Sequence, residues 1–275
     1  MSATSMMEMR RPAPASPALQ DVRLSTGVRL RYTEQGDPAG EAIVMLHGYS
    51  DSSFSFSPVL PLVSPRYHVF ALDLRGHGGS DQPAKGYDIR DLAADVVAFL
   101  DAKGLPRATI VGHSLGSFVA QRIAVDAPAR VSRLVLLGSA PTLRNEVIAE
   151  LRAAVDTLSD PVPVEFVRDF QLSTVYSPLP DEFIERVVAE SLVLTASVWQ
   201  ALAAGMLAET PVPLSAIEAP TLVLGGDRDA VFSRAEQQAL AAGIRRASRT
   251  EYAETGHAVH WERPGEVVRA IEGFV

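Results

Sequence analysis

Short apolar runs alternate along the chain with longer segments whose apolar residues repeat at helical spacing. The runs are Ala42–Leu46, Tyr67–Leu72, Ala108–Val111, Leu134–Leu137 and Thr221–Leu224. Continuous runs of this length are typical of strands buried on both faces, as in a parallel sheet. Between the second and third runs, residues 89–100 carry apolar side chains at helical spacing. The alternation therefore predicts an α/β protein with a mostly parallel, doubly wound sheet.

Further elements extend this pattern toward both ends of the chain. Asp21–Ser25 and Val28–Thr33 are separated by Thr26-Gly27, a turn signal that predicts a hairpin. Helices are predicted at Gly116–Ala127 and Ser233–Ala242. Arg249–Ala253 is the last predicted strand.

One long segment interrupts the alternation. From Pro141 to Pro213 the helical patterns continue without a convincing strand, and six prolines lie within or at the end of the segment after Pro141. We interpret this segment as a helical insertion between two strands of the sheet. The chain then divides into a flexible N-terminal tail (1–20), a core in two parts (21–140 and 214–275) and the insertion (141–213).

Composition and charge narrow the functional classes. The 275 residues are 47% hydrophobic and 21% charged, which excludes a wholly disordered or collagen-like chain. Twenty-five basic residues against 33 acidic ones give a net charge of −8, so we expect no nucleic-acid partner. The absence of cysteine excludes disulfides and thiolate nucleophiles. No export signal or membrane span is predicted, so we expect a cytoplasmic protein; its oligomeric state is not indicated.

A candidate nucleophile lies in Gly112-His113-Ser114-Leu115-Gly116, which fits the G-x-S-x-G pattern of a nucleophile elbow. The pattern follows a predicted strand and begins a predicted helix, which is the context that such a turn requires. A serine at a sharp strand-to-helix turn has strained backbone angles, and side chains at the flanking glycine positions would collide. The helix start also presents free N–H groups to a developing oxyanion. Ser114 is therefore the predicted nucleophile.

A serine hydroxyl is a weak nucleophile and needs a base that is itself oriented by a third group. An aspartate and a histidine follow downstream, in the order nucleophile, acid, histidine, each after a predicted strand. Asp229 is the candidate acid, and Asp227, two residues earlier in the same loop, is an alternative. His257 follows a glycine in a loop, whereas His260 adjoins a helix start, which favours His257 as the base.

Backbone donors are also predicted. Gly48 comes just after the first buried strand, where a glycine lets the chain turn so that an N–H faces the serine. The N–H groups of Tyr49 and Leu115 are the predicted oxyanion hole. Each such donor contributes roughly 2.7–4 kcal/mol to transition-state stabilisation.

The other histidines do not form a recognisable metal site. None is part of an H-E-x-x-H pair, and none has cysteine partners. His47, His77 and Arg75 are predicted to support strand-end loops. The glycine-rich loop at 76–79 lacks G-x-G-x-x-G spacing and a following lysine, which excludes nucleotide binding. We therefore expect no metal and no cofactor.

Taken in order, these motifs resemble those of the α/β-hydrolase superfamily, in its branch of capped serine hydrolases that includes esterases and lactonases. The resemblance covers about residues 21–275. It implies the α/β-hydrolase fold, with a mostly parallel eight-stranded sheet flanked by helices and a helical lid inserted at 141–213. It also implies that Asp229 and His257 are the triad partners of Ser114.

The resemblance excludes some activities of that superfamily. Its dehalogenases and soluble epoxide hydrolases carry aspartate where this chain has Ser114. His113 and Leu115 depart from the pattern of its proline-peptidase branch, and His113 and Ser117 from that of its peroxidase branch.

The predicted activity is that of a carboxylesterase, which cleaves an ester through a covalent acyl-enzyme. Candidate pocket residues are Phe54, just past the predicted oxyanion loop, and Phe170, Trp199 and Met206 in the insertion. Trp199 and Met206 lie seven residues apart on one helical face. No arginine pair is available for a substrate carboxylate, so we expect a small to medium, largely apolar ester or lactone. A lactonase, a carbon–carbon bond hydrolase with the same triad, and a slow-turnover ligand receptor on the same fold are alternatives.

Overall fold

An eight-stranded sheet organises the molecule. The computed structural model describes residues 18–275. The strands are β1 (Ala18–Arg23), β2 (Arg29–Gly36), β3 (Ala42–Leu46), β4 (His68–Leu72), β5 (Ala108–His113), β6 (Val131–Leu137), β7 (Thr221–Gly226) and β8 (Ala247–Tyr252). Their order across the sheet is β1-β2-β4-β3-β5-β6-β7-β8. Every predicted strand is confirmed. Of the predicted tail, residues 1–17 lie outside the described residues, while residues 18–20 belong to β1.

Helices connect the strands and flank the sheet. They are α1 (Ile89–Ala102), α2 (Leu115–Asp126), α3 (Glu146–Val155), α4 (Val164–Ser173), α5 (Asp181–Ser191), α6 (Ala196–Ala208), α7 (Arg234–Gly243), α8 (Val259–Glu262) and α9 (Pro264–Phe274). The predicted helices at α1, α2 and α7 are confirmed. Asp88 and Asp91 form a capping box that fixes the start of α1.

Strand pairing confirms the mostly parallel sheet. β1 pairs with β2, and β2 with β4, in antiparallel fashion, whereas the remaining neighbours are parallel. Side chains alternate between the two faces along each strand. Val44 and Leu46 of β3 therefore join the core under α1 and α2, whereas Ile43 and Met45 join the core under α9. Both faces of β3 are buried, as the continuous apolar run requires.

Four helices, α3 to α6, lie between β6 and β7, within the 141–213 segment. Gly205 lets α6 approach the core, because a Cβ there would lie 2.3 Å from the carbonyl oxygen of Tyr87. Arg122 of α2 forms a buried ion pair with Glu209, just after α6. In the described part of the chain no single helix is long and apolar enough to cross a membrane. α5 and α6 together, bent by 90°, meet the same length and composition criteria.

The loop after β4 is held by a buried ion pair. The Arg75 guanidinium donates to both carboxylate oxygens of Asp95 on α1, at 2.5 and 2.6 Å, and to the carbonyl oxygen of Gly86 at 2.7 Å. Thr26 of the hairpin turn also donates to Asp95, at 2.6 Å. The Asp95 side chain is 1% exposed and that of Arg75 is 8% exposed. This pair joins the hairpin, the first helix and the strand-end loop.

Two histidines whose rings pack edge to face support the neighbouring loops. His47 Nδ1 donates to the carbonyl of Gly48 at 2.8 Å, and its Nε2 accepts from the N–H of Leu74 at 3.0 Å. His77 Nδ1 donates to the carbonyl of Arg75 at 2.9 Å, and the two rings lie 4.7 Å apart. Burial lowers the pKa of His47 to about 4 and that of His77 to about 3. Both imidazoles are therefore neutral at pH 7.

Replacing Asp95 by Asn leaves the Arg75 charge buried without its counter-charge, so we expect the free energy of unfolding to fall by about 3–5 kcal/mol. Urea denaturation measures this loss. Arg90→Gln is the matched control, since it removes the exposed Arg90–Asp126 pair and should cost less than about 1 kcal/mol. Equal losses in the two variants would contradict a stabilising role for the buried pair.

The neutral histidines also predict acid sensitivity. Below pH 6.5 the unfolded chain binds protons at His47 and His77 that the folded protein does not bind, so stability falls as the pH drops from 7 toward 4. His77→Gln should flatten the slope of unfolding free energy against pH between pH 5 and 6 by about 1 kcal/mol per pH unit. The slopes of the two proteins should coincide above pH 7.5. An unchanged slope at pH 5–6 would contradict the buried, neutral state of His77.

Candidate active site

Ser114 occupies a strained turn between β5 and α2. Its backbone angles are φ 48° and ψ −120°, which non-glycine residues rarely adopt. A Cβ on Gly112 would lie 2.3 Å from the carbonyl oxygen of Gly116, and a Cβ on Gly116 would lie 2.3 Å from that of Leu46. The expected sharp strand-to-helix turn and its need for both glycines are thus confirmed.

The loop after β3 passes beside this turn. The Gly116 N–H donates to the His47 carbonyl at 3.1 Å, which joins the first turn of α2 to the end of β3. The Asp51 N–H donates to the Gly48 carbonyl at 3.3 Å and closes a tight turn around Tyr49 and Ser50. Among residues 18–275, no hydrogen bond uses the N–H of Tyr49 or that of Leu115. Both predicted oxyanion donors therefore have no hydrogen-bond partner among the described residues.

His257 and Asp229 are in contact. The Nδ1 atom of His257 lies 3.0 Å from Asp229 Oδ2 and 3.1 Å from Oδ1. The carboxylate also accepts from the N–H groups of Val231 and Phe232 at 2.8 and 2.9 Å, and from Gln237 at 3.2 Å. These donors fix the carboxylate so that it accepts the Nδ1 proton of the imidazole. His257 Nε2, the atom that a general base would use, has no hydrogen-bond partner in the described part of the chain.

The alternative acid, Asp227, and the alternative base, His260, form hydrogen bonds elsewhere. Asp227 Oδ1 accepts from the N–H of Thr255 at 3.4 Å and supports the loop before His257. His260 Nε2 lies 2.9 Å from Ser55 Oγ, and burial lowers the pKa of His260 to about 3. The geometry therefore favours Asp229 over Asp227, and His257 over His260.

One cavity of about 290 Å³ brings the candidate residues together. Its wall contains Ser114, His257, Tyr49 and Gly48 from the core and residues from α3, α4 and α6. The other lining residues are Asp51, His113, Val147, Ile148, Glu150, Leu151, Ala154, Phe170, Gln171, Ser173, Thr174, Met206, Val231 and Trp261. Phe170 and Met206 line the cavity, as expected from the sequence.

Two other expected pocket residues lie elsewhere. Trp199 is fully buried and packs edge-on against Tyr49 and Phe170, so it supports the cavity wall from behind. Phe54 stacks on Phe183 and lies in a separate cavity of about 590 Å³, on the other side of the loop after β3. The expectation that these two residues line the pocket is wrong. Helical spacing did not show which element covers Trp199, and position in the chain did not show where the side chain of Phe54 is directed. The larger cavity contains neither Ser114 nor His257.

Several residues that position His257 were not predicted. A Cβ on Gly138, just after β6, would lie 2.9 Å from His257 Nδ1, so only glycine leaves room for the imidazole. The Thr174 carbonyl accepts from the N–H groups of His257 and Ala258 at 2.9 and 3.0 Å. A glycine at the carboxyl end of a buried strand could have indicated Gly138. No sequence signal could have indicated Thr174, which follows α4.

His113 lies between the serine and the histidine loops. Its Nε2 donates to the His257 carbonyl at 3.3 Å, and its Nδ1 lies 3.9 Å from Asp51 Oδ2. Burial, reinforced by His260 and His257, lowers the pKa of His113 well below its ordinary value. Within residues 18–275, no group of three or more histidines and carboxylates could hold a metal ion.

Comparisons with known proteins agree with this architecture. The model of the alpha/beta hydrolase family matches residues 43–270. The chain is 29% identical over 262 residues to pyrrolizixenacetamide deacetylase from Xenorhabdus hominickii, covering 87% of this chain and 92% of that protein. It is 42% identical over 98 residues to epoxide hydrolase A from Mycobacterium tuberculosis, but this match spans 34% of the chain and only 30% of that enzyme.

The fold also matches solved structures closely. A hydrolase from Pseudomonas aeruginosa PA01 superposes with a TM-score of 0.84 at 27% identity, over 93% of this chain and 97% of that one. The family model covers most of the sheet, including the Ser114 turn and the loops of Asp229 and His257. The similarity to these hydrolases supports a general hydrolytic activity. The chain belongs to the α/β-hydrolase family.

Proposed function

We propose that the protein is a serine hydrolase that cleaves a carboxylic ester of a small to medium, largely apolar substrate. One observation carries the proposal: Ser114, on its strained turn, faces the same cavity as His257, whose Nδ1 is held by Asp229. A serine at such a turn and a histidine backed by a carboxylate are the parts that acyl transfer requires.

In the proposed mechanism, Ser114 Oγ attacks the ester carbonyl carbon while His257 Nε2 accepts the serine proton. The carbonyl π electrons move to oxygen, and the oxyanion accepts hydrogen bonds from the N–H groups of Tyr49 and Leu115. Collapse of this tetrahedral species breaks the ester C–O bond, and the leaving alkoxide takes the proton from His257. Asp229 stabilises the imidazolium from the time His257 accepts the serine proton until it gives that proton to the leaving group.

Deacylation repeats these steps with water. His257 Nε2 takes a proton from the water as its oxygen attacks the acyl carbon, and the same two N–H groups bind the oxyanion. Breaking of the acyl–Ser114 bond releases the carboxylic acid, and the proton on His257 returns to Ser114 Oγ.

The cavity supports an uncharged substrate. Four of the five α3 residues in its wall are apolar, as are Phe170 and Met206, and no lysine or arginine is among the residues that line it. Asp51 and Glu150 would repel a substrate carboxylate. Helices α3, α4 and α6 cover the site, and we propose that residues 141–213 act as its lid.

Removal of an acetyl group from an amide is a second candidate activity. It is favoured by the similarity to pyrrolizixenacetamide deacetylase over most of both chains. The same triad would then protonate an amine leaving group. Comparing p-nitrophenyl acetate with p-nitroacetanilide, which share the acetyl group, separates the ester and amide activities.

Replacing Ser114 by Ala should lower kcat on short p-nitrophenyl esters by at least about 10³-fold, because the acyl acceptor is lost. Steady-state hydrolysis measures this loss. A fluorophosphonate probe should add its mass to the wild type but not to the variant. Ser132→Ala, on β6 outside the cavity, is the control and should keep wild-type rates. Hydrolysis that survives Ser114→Ala would contradict the proposal.

Asp229→Asn should reduce kcat by up to about 10⁴-fold, since an amide that donates to Nδ1 leaves the imidazole in the wrong tautomer. Asp227→Asn is the matched control, two residues away in the same loop, and should stay within about 10-fold of the wild type. The kcat of both variants on p-nitrophenyl butyrate measures the difference. A larger loss in Asp227→Asn would reverse the assignment of the acid.

A further inference from the structure

The tight turn that carries Tyr49 contains a strained residue. Ser50 has a φ of 62°, which lies in the left-handed region that glycine favours. Among residues 18–275, the backbone hydrogen bond that closes the turn is the 3.3 Å bond from the Asp51 N–H to the Gly48 carbonyl. Since the N–H of Tyr49 lies inside this turn, its direction depends on what holds Ser50 and Asp51 in place.

A side chain from α4 holds both residues. Gln171 is 1% exposed, and its Nε2 lies 3.2 Å from Ser50 Oγ and 3.1 Å from Asp51 Oδ1. The same nitrogen lies 2.8 Å from Ser191 Oγ on α5, whose hydroxyl donates to the Val187 carbonyl at 3.0 Å. One buried carboxamide therefore joins two helices of the 141–213 segment to the turn after β3.

Helix α6 makes a second connection to the same turn. The Tyr49 hydroxyl donates to the Trp199 carbonyl at 2.6 Å, and the Tyr49 ring packs edge-on against Trp199 and Phe170. Tyr49 is thus held by its side chain to α6, while the two residues after it are held to α4. The main chain between these contacts has little freedom to rotate.

We propose that Gln171 is a positioning residue for the oxyanion hole, an inference that rests on the function proposed above. Its hydrogen bonds to Ser50 and Asp51 hold the turn in the conformation that directs the Tyr49 N–H toward the acyl oxygen on Ser114. The hole is complete only when helices α4 and α5 are packed on the core. Gln171 lines the cavity, but among the described residues its Nε2 hydrogen-bonds to Ser50, Asp51 and Ser191 and not to Ser114 or His257.

The hydrogen bond between Gln171 and the Asp51 carboxylate is sensitive to the charge of the two side chains. Burial raises its pKa to about 7, and Ser55 Oγ donates to its other oxygen at 3.2 Å. The titratable groups that face it are His113, with Nδ1 at 3.9 Å, His257, and His260 through the Ser55 hydroxyl. Replacing the Gln171 amide by a carboxyl group would put two acidic groups in contact.

Gln171→Leu keeps a similar volume and removes the hydrogen bonds. We expect kcat on p-nitrophenyl butyrate to fall by about 10- to 100-fold, less than loss of a whole oxyanion donor, with KM nearly unchanged. Affinity for an alkylboronic acid, which forms a tetrahedral adduct on Ser114, should fall by the same factor. Gln200→Leu is the matched control, because Gln200 Nε2 donates only to the Val155 and Leu158 carbonyls beside α3. It should keep the wild-type kcat.

Gln171→Glu gives a readout that a merely structural role would not produce. At acid pH one of the two carboxyl groups is protonated and donates to the other, whereas at alkaline pH both are charged and repel. The ratio of variant to wild-type kcat should therefore rise as the pH falls from 9 to 5. Asp51→Asn combined with Gln171→Glu restores an amide–carboxylate pair and should make the ratio independent of pH.

These outcomes separate the inference from the proposed function. Wild-type kcat in Gln171→Leu, or a ratio for Gln171→Glu that stays constant from pH 5 to 9, overturns the inference while Ser114→Ala remains inactive. If Gln171→Leu does not fold, the pH dependence of the kcat ratio for Gln171→Glu tests the inference instead. If no ester is hydrolysed, the rate of Ser114 labelling by a fluorophosphonate decides, since it needs the same hole: slower labelling in Gln171→Leu supports the inference, and wild-type labelling overturns it. A wild type that is not labelled at Ser114 overturns both proposals.

Discussion

The close contact between the first turn of α2 and the end of β3 is the constraint on which the site depends. Gly116 lies so near the Leu46 and His47 carbonyls that no side chain fits, and its N–H donates to His47. This contact forces the strained backbone of Ser114 and places it beside the turn of Tyr49. The strain is maintained because β3 and β5 are central, fully buried strands whose positions are determined by both cores.

The parts of the molecule that follow from local patterns could be predicted from the sequence. Strands such as β3 and β5 are buried on both faces, so their side chains are apolar whatever their neighbours are. The Ser114 turn has its own sequence signature because its two glycines are required by contacts within a few residues and with one adjacent strand. The loops of Asp229 and His257 follow strands whose carboxyl ends meet at the same edge of the sheet, which brings distant residues together.

The helices between β6 and β7 could be predicted as helices but not placed. Their amphipathic patterns show which side chains are buried, but not which structural element each of them packs against. Trp199 and Met206 share a helical face, yet Met206 reaches the cavity while Trp199 packs behind Tyr49. Phe54 was predicted near the site by its position in the chain, whereas its loop turns it toward Phe183 on α5. The roles of Gly138 and Gln171 depend on contacts across 119 and 120 residues of sequence, respectively.

Helix α4 connects the two halves of the candidate chemistry. Gln171, near its end, holds the turn of the predicted oxyanion donor, and the Thr174 carbonyl just beyond it holds the backbone of the candidate base. These contacts come from less than one helical turn of chain, so α4 cannot move away from the core without releasing both loops. A substrate that enters by displacing this helix would meet an incomplete site, and the site would form as the helix returned. For the lid proposed above, closure over the substrate and assembly of the site would therefore be one packing event rather than two.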